Sequence, residues 1–494
     1  MSNCDIAFIT KPSEFGEFLP FPAMALSAFV KKHGINSVII DTNPVFRTPF
    51  TTNDSRYTVF FNYIKSELIK LKPRYICLGA FTSDYDFIIK FSSDIKQFVN
   101  SRVIVGNVHA TIQPDDFIFN GSPVDLAVRG EGELTLQEIL ELKEPTTEEL
   151  NKIDGLCFYD YIAGKVVLTH KRSLIEDLTI LPFPAYEDIN MAYYTRPLKR
   201  IIGYAYYVIV PIYSGRGCPF RCNFCASSNV WGQHSTRLLS IDRLIDEIKM
   251  LKDKWGVDAI YLLDDTFTIS KPRVYEFCEK IKPLNLVWAA QTRVNLIDEP
   301  LIAAMKNSGC TQLTFGVESG SQRLLDLMQK GCRIEETKKA FALCKKYKIR
   351  TLANMMFNLP TEEEEDVRLS HELLKEIRPD ELGVGLTVAY PGTEIYEKYF
   401  KDKFSKDEYH LLAEARGFGT GRFKLCNHNL DLQQVLAYTR MDLSIVPILP
   451  LFIRVLFSLE YWKMNLRSVH RMAYIKAIIK NLPIGLIRSL GIGT

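Results

Sequence analysis

The sequence alternates short apolar runs with amphipathic stretches in two successive series, and this alternation restricts the fold more than any other feature. Strands that alternate with helices form parallel sheets covered by helices, so the chain is predicted to be an α/β protein. Its 494 residues exceed the size at which one hydrophobic core stops growing, which is about 250–300 residues. We therefore expect more than one domain.

The first series occupies residues 1–145 and predicts a doubly wound, Rossmann-like parallel sheet. Its strand candidates are 5–10, 37–41, 75–80, 102–106 and 125–129, and its helix candidates are 22–32, 57–71, 86–99 and 133–142. Such sheets bind ligands beyond the carboxyl ends of their strands. No G-x-G-x-x-G follows the first strand, which argues against a dinucleotide. An α/β domain without a ligand is the alternative, because a fold alone does not specify a function.

The second series, residues 201–400, predicts a partial (β/α)6 barrel. Its strand candidates are 204–213, 259–264, 287–293, 312–317, 350–357 and 383–390, with clear helices at 240–254 and 362–377. In barrels of this kind the chemistry lies on loops at the carboxyl ends of the strands. Residues 146–200 are predicted to form a connector with a small hairpin around 161–164, and residues 401–494 a helical C-terminal region.

Three cysteines, Cys218, Cys222 and Cys225, lie on one loop after the first strand of the second series, with the spacing C-x3-C-x2-C. Thiolates are the usual ligands of iron–sulfur clusters, and three of them leave one iron of a cubane cluster open to a small molecule. The spacing therefore predicts a [4Fe-4S] cluster and favours an enzyme over an electron carrier. Structural zinc is one alternative, but it needs four ligands and the nearest further candidate is His234. An accidental group of cysteines is the other.

This loop, GCPFRCNFC at 217–225, resembles that of the radical S-adenosylmethionine (radical SAM) superfamily, including the aromatic Phe224 before the third cysteine. The chain further resembles the subgroup that carries an N-terminal cobalamin-binding domain. The supporting segments are GNVHAT at 106–111, RGEGE at 129–133, LPFPA at 181–185, LDDTF at 263–267, GVESGS at 316–321 and YPGT at 390–393. Each segment is weak alone, and their order over roughly residues 1–400 carries the resemblance.

The resemblance implies that S-adenosylmethionine chelates the open iron and that neighbouring strand ends hold the rest of it. Asp264 and Asp265 are expected near the methionyl amine, where the family more often has a glutamate, and Arg293 near the carboxylate. Glu318 is expected to accept hydrogen bonds from the ribose hydroxyls. Helix-terminal or substrate-contacting carboxylates and a solvated surface arginine are the alternatives. The full expected set is Phe224, Asp264, Asp265, Arg293, Glu318, Ser319 and Leu359.

For cobalamin, the resemblance implies contacts from residues at the strand ends of the first series. The expected set is Thr10, Thr82, Ser83, Gly106, Asn107, His109, Gly130 and Glu131. Many cobalamin domains have D-x-H-x-x-G after the first strand, whose histidine ligates cobalt from below. The loop at 10–16 contains no histidine, so we expect no cobalt ligand from it. We expect His109 either to contact the cofactor or to shape a turn, and not to ligate cobalt.

Composition excludes several other classes of protein. The net charge of +3 is too small to indicate binding to nucleic acid. The first ten residues have no basic segment before an apolar run, so no secretory signal peptide is expected. Eleven cysteines, an odd number without a regular spacing, argue against a disulfide framework. We therefore expect a cytoplasmic location, whose reducing conditions suit an oxygen-sensitive cluster.

The C-terminal region has a basic and apolar character. Residues 431–494 contain eight Lys or Arg against three Asp or Glu. The apolar stretch 443–459 is interrupted by two prolines and an arginine, and it is too short to predict a membrane span. We expect a helical cap over the barrel mouth that carries substrate-binding residues. Peripheral contact of these helices with an anionic membrane is the alternative.

Taken with the resemblance, these features predict a cobalamin-dependent radical SAM methyltransferase. A 5′-deoxyadenosyl radical from reductive cleavage of S-adenosylmethionine would activate an unreactive carbon, and methylcobalamin would supply the methyl group. The expected partners are a small-molecule or lipid-like substrate and a reductant such as flavodoxin or ferredoxin, and the sequence identifies no catalytic acid or base. The alternatives are a cyclase, ring-rearranging or oxidising enzyme without methyl transfer, and a non-enzymatic iron–sulfur sensor.

Overall fold

Both α/β series are present in the computed structural model of the chain. The structure describes residues 4–12, 19–46, 50, 52–197, 205–231, 235–387, 390–401, 406–409, 461–462, 466–474 and 476. The chain divides into two compact units. The first unit comprises residues 1–191, 224–237 and 388–423, and the barrel unit comprises residues 192–223, 238–387 and 424–494.

The described strands and helices follow the predicted alternation. The strands are β1 Ile6–Ile9, β2 Ser37–Ile40, β3 Tyr75–Gly79, β4 Arg102–Gly106, β5 Leu126–Val128, β6 Leu156–Asp160, β7 Lys165–Leu168, β8 Ile209–Ile212, β9 Gly215–Arg216, β10 Arg237–Leu238, β11 Ala259–Leu262, β12 Val287–Thr292, β13 Cys310–Glu318, β14 Arg350–Phe357 and β15 Glu381–Leu386. The helices are α1 Phe21–Lys32, α2 Ser55–Leu71, α3 Tyr85–Lys96, α4 Asn107–Ile112, α5 Gly132–Glu141, α6 Thr147–Asn151, α7 Met191–Tyr194, α8 Ser227–Trp231, α9 Ile241–Trp255, α10 Lys271–Ile281, α11 Glu299–Asn307, α12 Gln322–Leu327, α13 Ile334–Lys346, α14 Glu364–Ile377 and α15 Glu394–Tyr399.

The sheet of the first unit has seven strands in the order β2-β1-β3-β4-β5-β6-β7. The first five strands in this order are parallel, as predicted for a doubly wound fold. The predicted hairpin is present as β6 and β7, and it adds to the sheet in antiparallel orientation through β5. The sheet therefore includes residues that the sequence assigns to the connector, because a short antiparallel hairpin needs only a tight turn to extend an existing edge.

Aromatic rings fill the core on one face of this sheet. Phe87 and Phe91 are four residues apart on α3, and their stacked rings have centroids 5.8 Å apart. Phe60 of α2 packs edge-on against both, with centroid distances of 5.6 and 5.9 Å. Residues at i and i+4 lie on the same side of a helix, so this spacing directs the apolar faces of α2 and α3 to one core.

The barrel unit contains six parallel strands in chain order, β8-β11-β12-β13-β14-β15, which confirms the partial barrel. Its helices begin and end where local chemistry predicts. The Ser240 hydroxyl accepts the backbone N–H of Arg243 at 3.3 Å and caps α9, and Gly256 ends that helix at a φ of +64°. Because the six strands are parallel, each of them ends at the same edge of the sheet, where the next loop begins.

The described C-terminal residues contact the opposite, amino-terminal end of this sheet. The hydroxyl of Tyr461 accepts the N–H of Tyr206 at 3.0 Å, and that of Tyr474 accepts the N–H of Val208 at 2.7 Å. Tyr474 also donates to Asp258 at 2.6 Å. The strand predicted at 204–213 is consequently only Ile209–Ile212, because side-chain hydroxyls rather than a neighbouring strand bind the preceding amides.

The predicted cap over the barrel mouth falls largely on residues 402–405, 410–460 and 477–494, which lie outside the described residues. The apolar stretch 443–459 lies outside them as well. Within the part of the chain that the structure describes, no helix combines the length and the hydropathy needed to cross a membrane.

Candidate functional site

The cysteine loop begins at the carboxyl end of β8 and is fixed there by Asp264. Both carboxylate oxygens of Asp264 accept hydrogen bonds from Ser214, one from its backbone N–H at 2.6 Å and one from its hydroxyl. Arg273 donates to the carbonyl oxygens of Ser214 at 2.9 Å and Leu239 at 3.1 Å. Burial raises the pKa of Asp264, although the Ser214 hydrogen bonds oppose this. Asp264 is 4% exposed, and it anchors the loop at Ser214, four residues before Cys218.

Asn223 fixes the loop further along. Its backbone N–H donates to the carbonyl of Met328 at 3.1 Å, and its side-chain amide donates to the carbonyl of Leu327 at 2.7 Å. These carbonyls lie at the end of α12. The chain is thus held by protein contacts on both sides of Cys218–Cys222, at Ser214 and at Asn223.

The three cysteine sulfurs have different surroundings. Cys218 Sγ lies 3.6 Å from the hydroxyl of Thr266, and Cys222 Sγ accepts a hydrogen bond from Arg293 Nη1 at 3.3 Å. Cys218 and Cys222 are half-buried, whereas Cys225 is exposed. Within the described ranges no group of three or more Cys, His, Asp or Glu side chains is already gathered around a metal position. The cluster assignment therefore rests on the loop and its donors, and it stays a prediction.

Arg293 follows β12 and is only 6% exposed. Besides Cys222, its guanidinium donates to the carbonyl of Lys330 and, at 3.4 Å, to the side-chain oxygen of Asn295. Its flat face lies over the ring of Phe220, 3.8 Å from the centroid. The sequence predicts Arg293 at the methionyl carboxylate, but its contacts in the structure are all with the cysteine loop and its neighbours.

Glu318 ends β13 and forms a buried ion pair that the sequence did not predict. Its Oε1 lies 2.7 Å from Lys330 Nζ, and the two residues are 8% and 6% exposed. Glu318 has a φ of +68°, a conformation that costs energy for any residue with a Cβ. Gly316 makes room for the pair, since a Cβ there would clash with Glu318 and lie 2.7 Å from Lys330 Nζ.

The other residues predicted to bind S-adenosylmethionine differ in accessibility. Asp265 is exposed and Phe224 is half-buried, whereas Ser319 and Leu359 are fully buried. The Ser319 hydroxyl lies 3.3 Å from that of Ser370, and the Leu359 N–H donates to Glu362 at 3.1 Å. Of the aspartate pair, Asp265 is therefore the one whose side chain is accessible to a ligand.

Glu362 is a further buried carboxyl near the end of β14. It is completely inaccessible, and burial raises its pKa to about 8, although backbone N–H groups of Leu359 and Asn358 donate to it. Asn358 just before it has a φ of +62°. A strained residue and an acid that is neutral at pH 7 are frequent at functional sites.

In the first unit, the candidate cobalamin residues Thr10, Thr82 and His109, which follow β1, β3 and β4, form hydrogen bonds with protein groups. Thr10 accepts the N–H of Thr42 at 2.9 Å and so ties the ends of β1 and β2 together. Both ring nitrogens of His109 are engaged, Nδ1 with Thr82 at 3.2 Å and Nε2 with Asp116 at 3.1 Å. Ser83, next to Thr82, is half-buried. His109 is 1% exposed.

Asp116 also pairs with Lys406, whose Nζ lies 2.6 Å from its second oxygen. Burial raises the pKa of Asp116, but the hydrogen bonds from His109 and Lys406 outweigh burial and lower it. The result is a buried chain of polar contacts, Thr82–His109–Asp116–Lys406.

The glycines after β4 and β5 border open space. A Cβ on Gly106 or Gly130 would meet no atom within 4 Å, and Gly130 has a φ of +79°. Asn107, next to Gly106, has the same φ and is half-buried. These turns leave room at the carboxyl ends of two parallel strands, where doubly wound sheets bind ligands.

Glu131, which follows Gly130, is bound within the protein. Its two oxygens lie 2.9 and 2.8 Å from Arg237 Nη1, and one of them accepts the N–H of Ile175 at 2.8 Å. Both Glu131 and Arg237 are buried. These contacts hold Glu131 within the protein, and its predicted contact with cobalamin stays a prediction.

Sequence reasoning missed Lys330, Thr266, Glu362 and Arg237. Lys330 lies nine residues after the GVESGS segment and Glu362 lies three residues after Leu359, so their proximity in sequence to predicted motifs is a usable signal. Arg237 is more than a hundred residues from Glu131, and no local pattern links them.

Comparison with known proteins agrees with this geometry. Residues 212–374 match the family model described as the radical SAM superfamily. An uncharacterized methyltransferase from Pyrococcus horikoshii is 32% identical over 342 residues, which cover 68% of this chain and 72% of that protein. The anaerobic magnesium-protoporphyrin IX monomethyl ester cyclase of Rubrivivax gelatinosus is 26% identical over 392 residues, which cover 78% of this chain and 66% of that protein.

Among solved structures, the chain is similar to the radical S-adenosylmethionine methyltransferase TsrM from Kitasatospora setae, determined with cobalamin and a [4Fe-4S] cluster bound. The TM-score is 0.64 at 15% sequence identity, and the match covers 81% of this chain and 75% of that one. At this identity the similarity establishes the fold.

Proposed function

The chain belongs to the radical SAM superfamily, and from this we propose that it is a cobalamin-dependent radical SAM methyltransferase. The observation that carries the proposal is the cysteine loop itself. Cys218, Cys222 and Cys225 follow the first barrel strand, and the loop is anchored by Asp264 and Asn223 at the carboxyl ends of the strands. This is the edge at which barrel enzymes carry out their chemistry.

The donor set fits a [4Fe-4S] cluster with one open iron. Three thiols lie within eight residues, the loop backbone is fixed, and Arg293 directs positive charge at one of the sulfurs. When bound, the cluster supplies the electron that cleaves S-adenosylmethionine and yields a 5′-deoxyadenosyl radical. Asp265 is our candidate for holding the methionyl ammonium, because its exposed carboxylate is an acceptor for that charged donor. Glu318 is our candidate for the ribose hydroxyls, held in place by Lys330.

The first unit fits cobalamin at the ends of β4 and β5. Gly106 and Gly130 border open space, Asn107 follows Gly106 in sequence, and both Asn107 and the candidate residue Ser83 are half-buried. When bound, cobalamin supplies the methyl group for transfer. Because both nitrogens of His109 contact protein groups, this residue would shape the turn rather than ligate cobalt. The loop at 10–16 contains no histidine, so it would supply no ligand to cobalt.

The relatives support methyl transfer and also indicate an alternative reaction. The methyltransferase from Pyrococcus horikoshii is the more similar in sequence of the two relatives described above, at 32% identity. The cyclase from Rubrivivax gelatinosus spans more of this chain, 78% of it, so a cobalamin-dependent cyclase that transfers no methyl group is the second candidate. The substrate of either reaction would be a small or lipid-like molecule, and flavodoxin or ferredoxin would supply electrons.

The first experiment uses S-adenosylmethionine itself as the probe. Protein purified without oxygen is reconstituted with iron, sulfide and hydroxocobalamin, reduced with dithionite and given S-adenosylmethionine whose methyl group is deuterated. We expect about four irons per chain, release of 5′-deoxyadenosine, and the label recovered on cobalamin. Cleavage without labelled cobalamin would favour the cyclase, and bound zinc or no bound iron would contradict the proposal.

The matched variants are Cys222→Ala and Cys278→Ala. Cys222 is a proposed ligand, whereas Cys278 is a buried cysteine of α10, where the thiol acts as a small apolar group. We expect Cys222→Ala to lose the cluster absorbance and all detectable 5′-deoxyadenosine formation. Cys278→Ala should keep both. Cleavage at the wild-type rate by Cys222→Ala would contradict the ligand assignment.

A further inference from the structure

Cys218 and Cys222 are the loop cysteines that belong to the barrel unit, and of these two it is Cys222 that accepts a hydrogen bond from a cation. Cys222 Sγ accepts its hydrogen bond from the guanidinium of Arg293 at 3.3 Å, whereas Cys218 Sγ lies 3.6 Å from the neutral hydroxyl of Thr266. Hydrogen bonds to the sulfurs and nearby charge are the main means by which a protein sets the potential of an iron–sulfur cluster. The two sulfurs therefore differ in the property that controls reduction.

Arg293 is held in this orientation by contacts on all sides. The carbonyl of Lys330 and the side-chain oxygen of Asn295 accept from its other nitrogens, and the ring of Phe220 covers its face. An arginine fork positioned in this way loses little further freedom when it donates to a charged group. At 6% exposure, its charge is only weakly screened by solvent.

The second cation close by is already balanced. Lys330 Nζ forms an ion pair with Glu318 at 2.7 Å. Arg293, by contrast, forms no ion pair with a carboxylate within the ranges that the structure describes, and its charged donor is directed at sulfur. Its positive charge is therefore uncompensated until the sulfur carries a negative charge.

We propose that Arg293 sets the reduction potential of the cluster through the sulfur of Cys222. The inference rests on the proposed function, since it requires a cluster at the cysteine loop. One-electron reduction by an external reductant adds a negative charge to the cluster, and a fixed cationic donor stabilises the reduced form more than the oxidised form. Arg293 thus raises the potential and makes the cluster easier to reduce.

The test is a redox titration of reconstituted protein followed by electron paramagnetic resonance. In Arg293→Gln we expect the ratio of reduced to oxidised cluster at a fixed potential to fall about tenfold, a shift of about 59 mV to more negative values for a one-electron couple. Thr266→Val, which removes a neutral hydroxyl from Cys218, should shift this ratio by less than about threefold. Arg333→Gln removes an exposed arginine of the same unit and should leave the potential unchanged.

The outcomes separate the two proposals. Wild-type protein that binds no cluster would contradict the proposed function, whereas an Arg293→Gln variant with full iron content and an unchanged potential would overturn this inference alone. If Arg293→Gln does not fold or does not retain iron, Arg293→Lys replaces it. Lysine keeps the charge but cannot reach both Lys330 and Cys222, so we expect the ratio of reduced to oxidised cluster to fall about threefold. An unchanged potential in Arg293→Lys again overturns the inference.

Discussion

Two buried glutamates that follow parallel strands, Glu131 in the first unit and Glu318 in the barrel unit, have different partners. Glu131 binds Arg237 and the backbone of Ile175, which are both distant in sequence. Glu318 binds Lys330, twelve residues further along, and has a φ of +68°. Both carboxylates lie in motifs that resemble cofactor-binding segments, and both are less than a tenth exposed.

The two glutamates therefore differ in their partners, whereas their motifs and their burial do not distinguish them. A buried ion pair between segments that are distant in sequence holds those segments together, and it does not require a strained backbone conformation. A pair within one strand-end loop, with strain at the carboxylate itself, is a candidate for holding a charge toward a ligand. Glu131 is therefore expected to stabilise the fold and Glu318 to face a ligand, and three experiments test this contrast.

The largest effect is expected from Glu131→Gln. This variant leaves the Arg237 guanidinium buried without its counter-charge, and two of its nitrogens, Nε and Nη2, already have no hydrogen-bond partner in the structure. We expect the free energy of unfolding, measured by urea denaturation, to fall by about 3–5 kcal/mol.

Glu138→Gln is the control, because Glu138 of the same unit pairs with Arg172 but has 42% of its side chain exposed. Its loss should be below about 1 kcal/mol. Equal losses in the two variants would remove the structural half of the comparison. A Glu131→Gln variant that is stable but no longer binds hydroxocobalamin would support the predicted contact of Glu131 with cobalamin.

The next effect is expected from Lys330→Met, which leaves Glu318 charged and buried. Stability should fall by about 3 kcal/mol, and the double variant Glu318→Gln with Lys330→Met should recover at least half of that loss, because neither charge then remains. Glu318→Gln alone should weaken binding of S-adenosylmethionine about tenfold through the lost acceptor. Calorimetry that finds unchanged binding would contradict the ligand-binding half of the comparison.

The dependence of stability on pH contrasts Asp116 of the first unit with Glu362 of the barrel unit. The pKa of Asp116 is lowered in the folded protein, so its contribution is present above the ordinary value of 3.8 and is lost as the pH falls through the folded pKa. We expect Asp116→Asn to cost about 1 kcal/mol at pH 7 and nothing at low pH.

Glu362 makes the free energy of unfolding depend on pH with the opposite sign. Its pKa is raised from 4.5 to about 8, so the folded state holds a proton that the unfolded state releases, and stability falls as the pH rises between these values. Glu362→Gln should remove this fall. Urea denaturation at several pH values measures both slopes, and slopes of the same sign would contradict the assignment.

Much of the fold follows from local pattern. The strand at Arg102–Gly106 and the strand at Arg350–Phe357 have the predicted bounds, and the Ser240 cap starts α9 as expected. These features depend on periodicity, capping and turn residues, which a single sequence contains. The cysteine loop was predictable for the same reason, since its spacing is local.

The remaining features depend on contacts between distant residues. The role of Asp264 as an anchor for Ser214, fifty residues away, cannot be read from the LDDTF segment. Nor can the hydrogen bond of Arg293 to Cys222, seventy-one residues away, be read from a local segment. Tertiary packing selects one of several partners for each polar side chain, and the sequence pattern does not specify which.

The two tyrosine hydroxyls that bind the amides of Tyr206 and Val208 have a practical consequence. These amides lie just before β8, which is an outer strand of the six-stranded sheet. A recombinant version truncated ahead of Tyr461 would expose unsatisfied N–H groups beside a strand edge, where a second molecule can pair with it. Dimers or larger aggregates in gel filtration of the trimmed protein would follow directly from that loss, so crystallisation trials should retain the tail through at least Lys476.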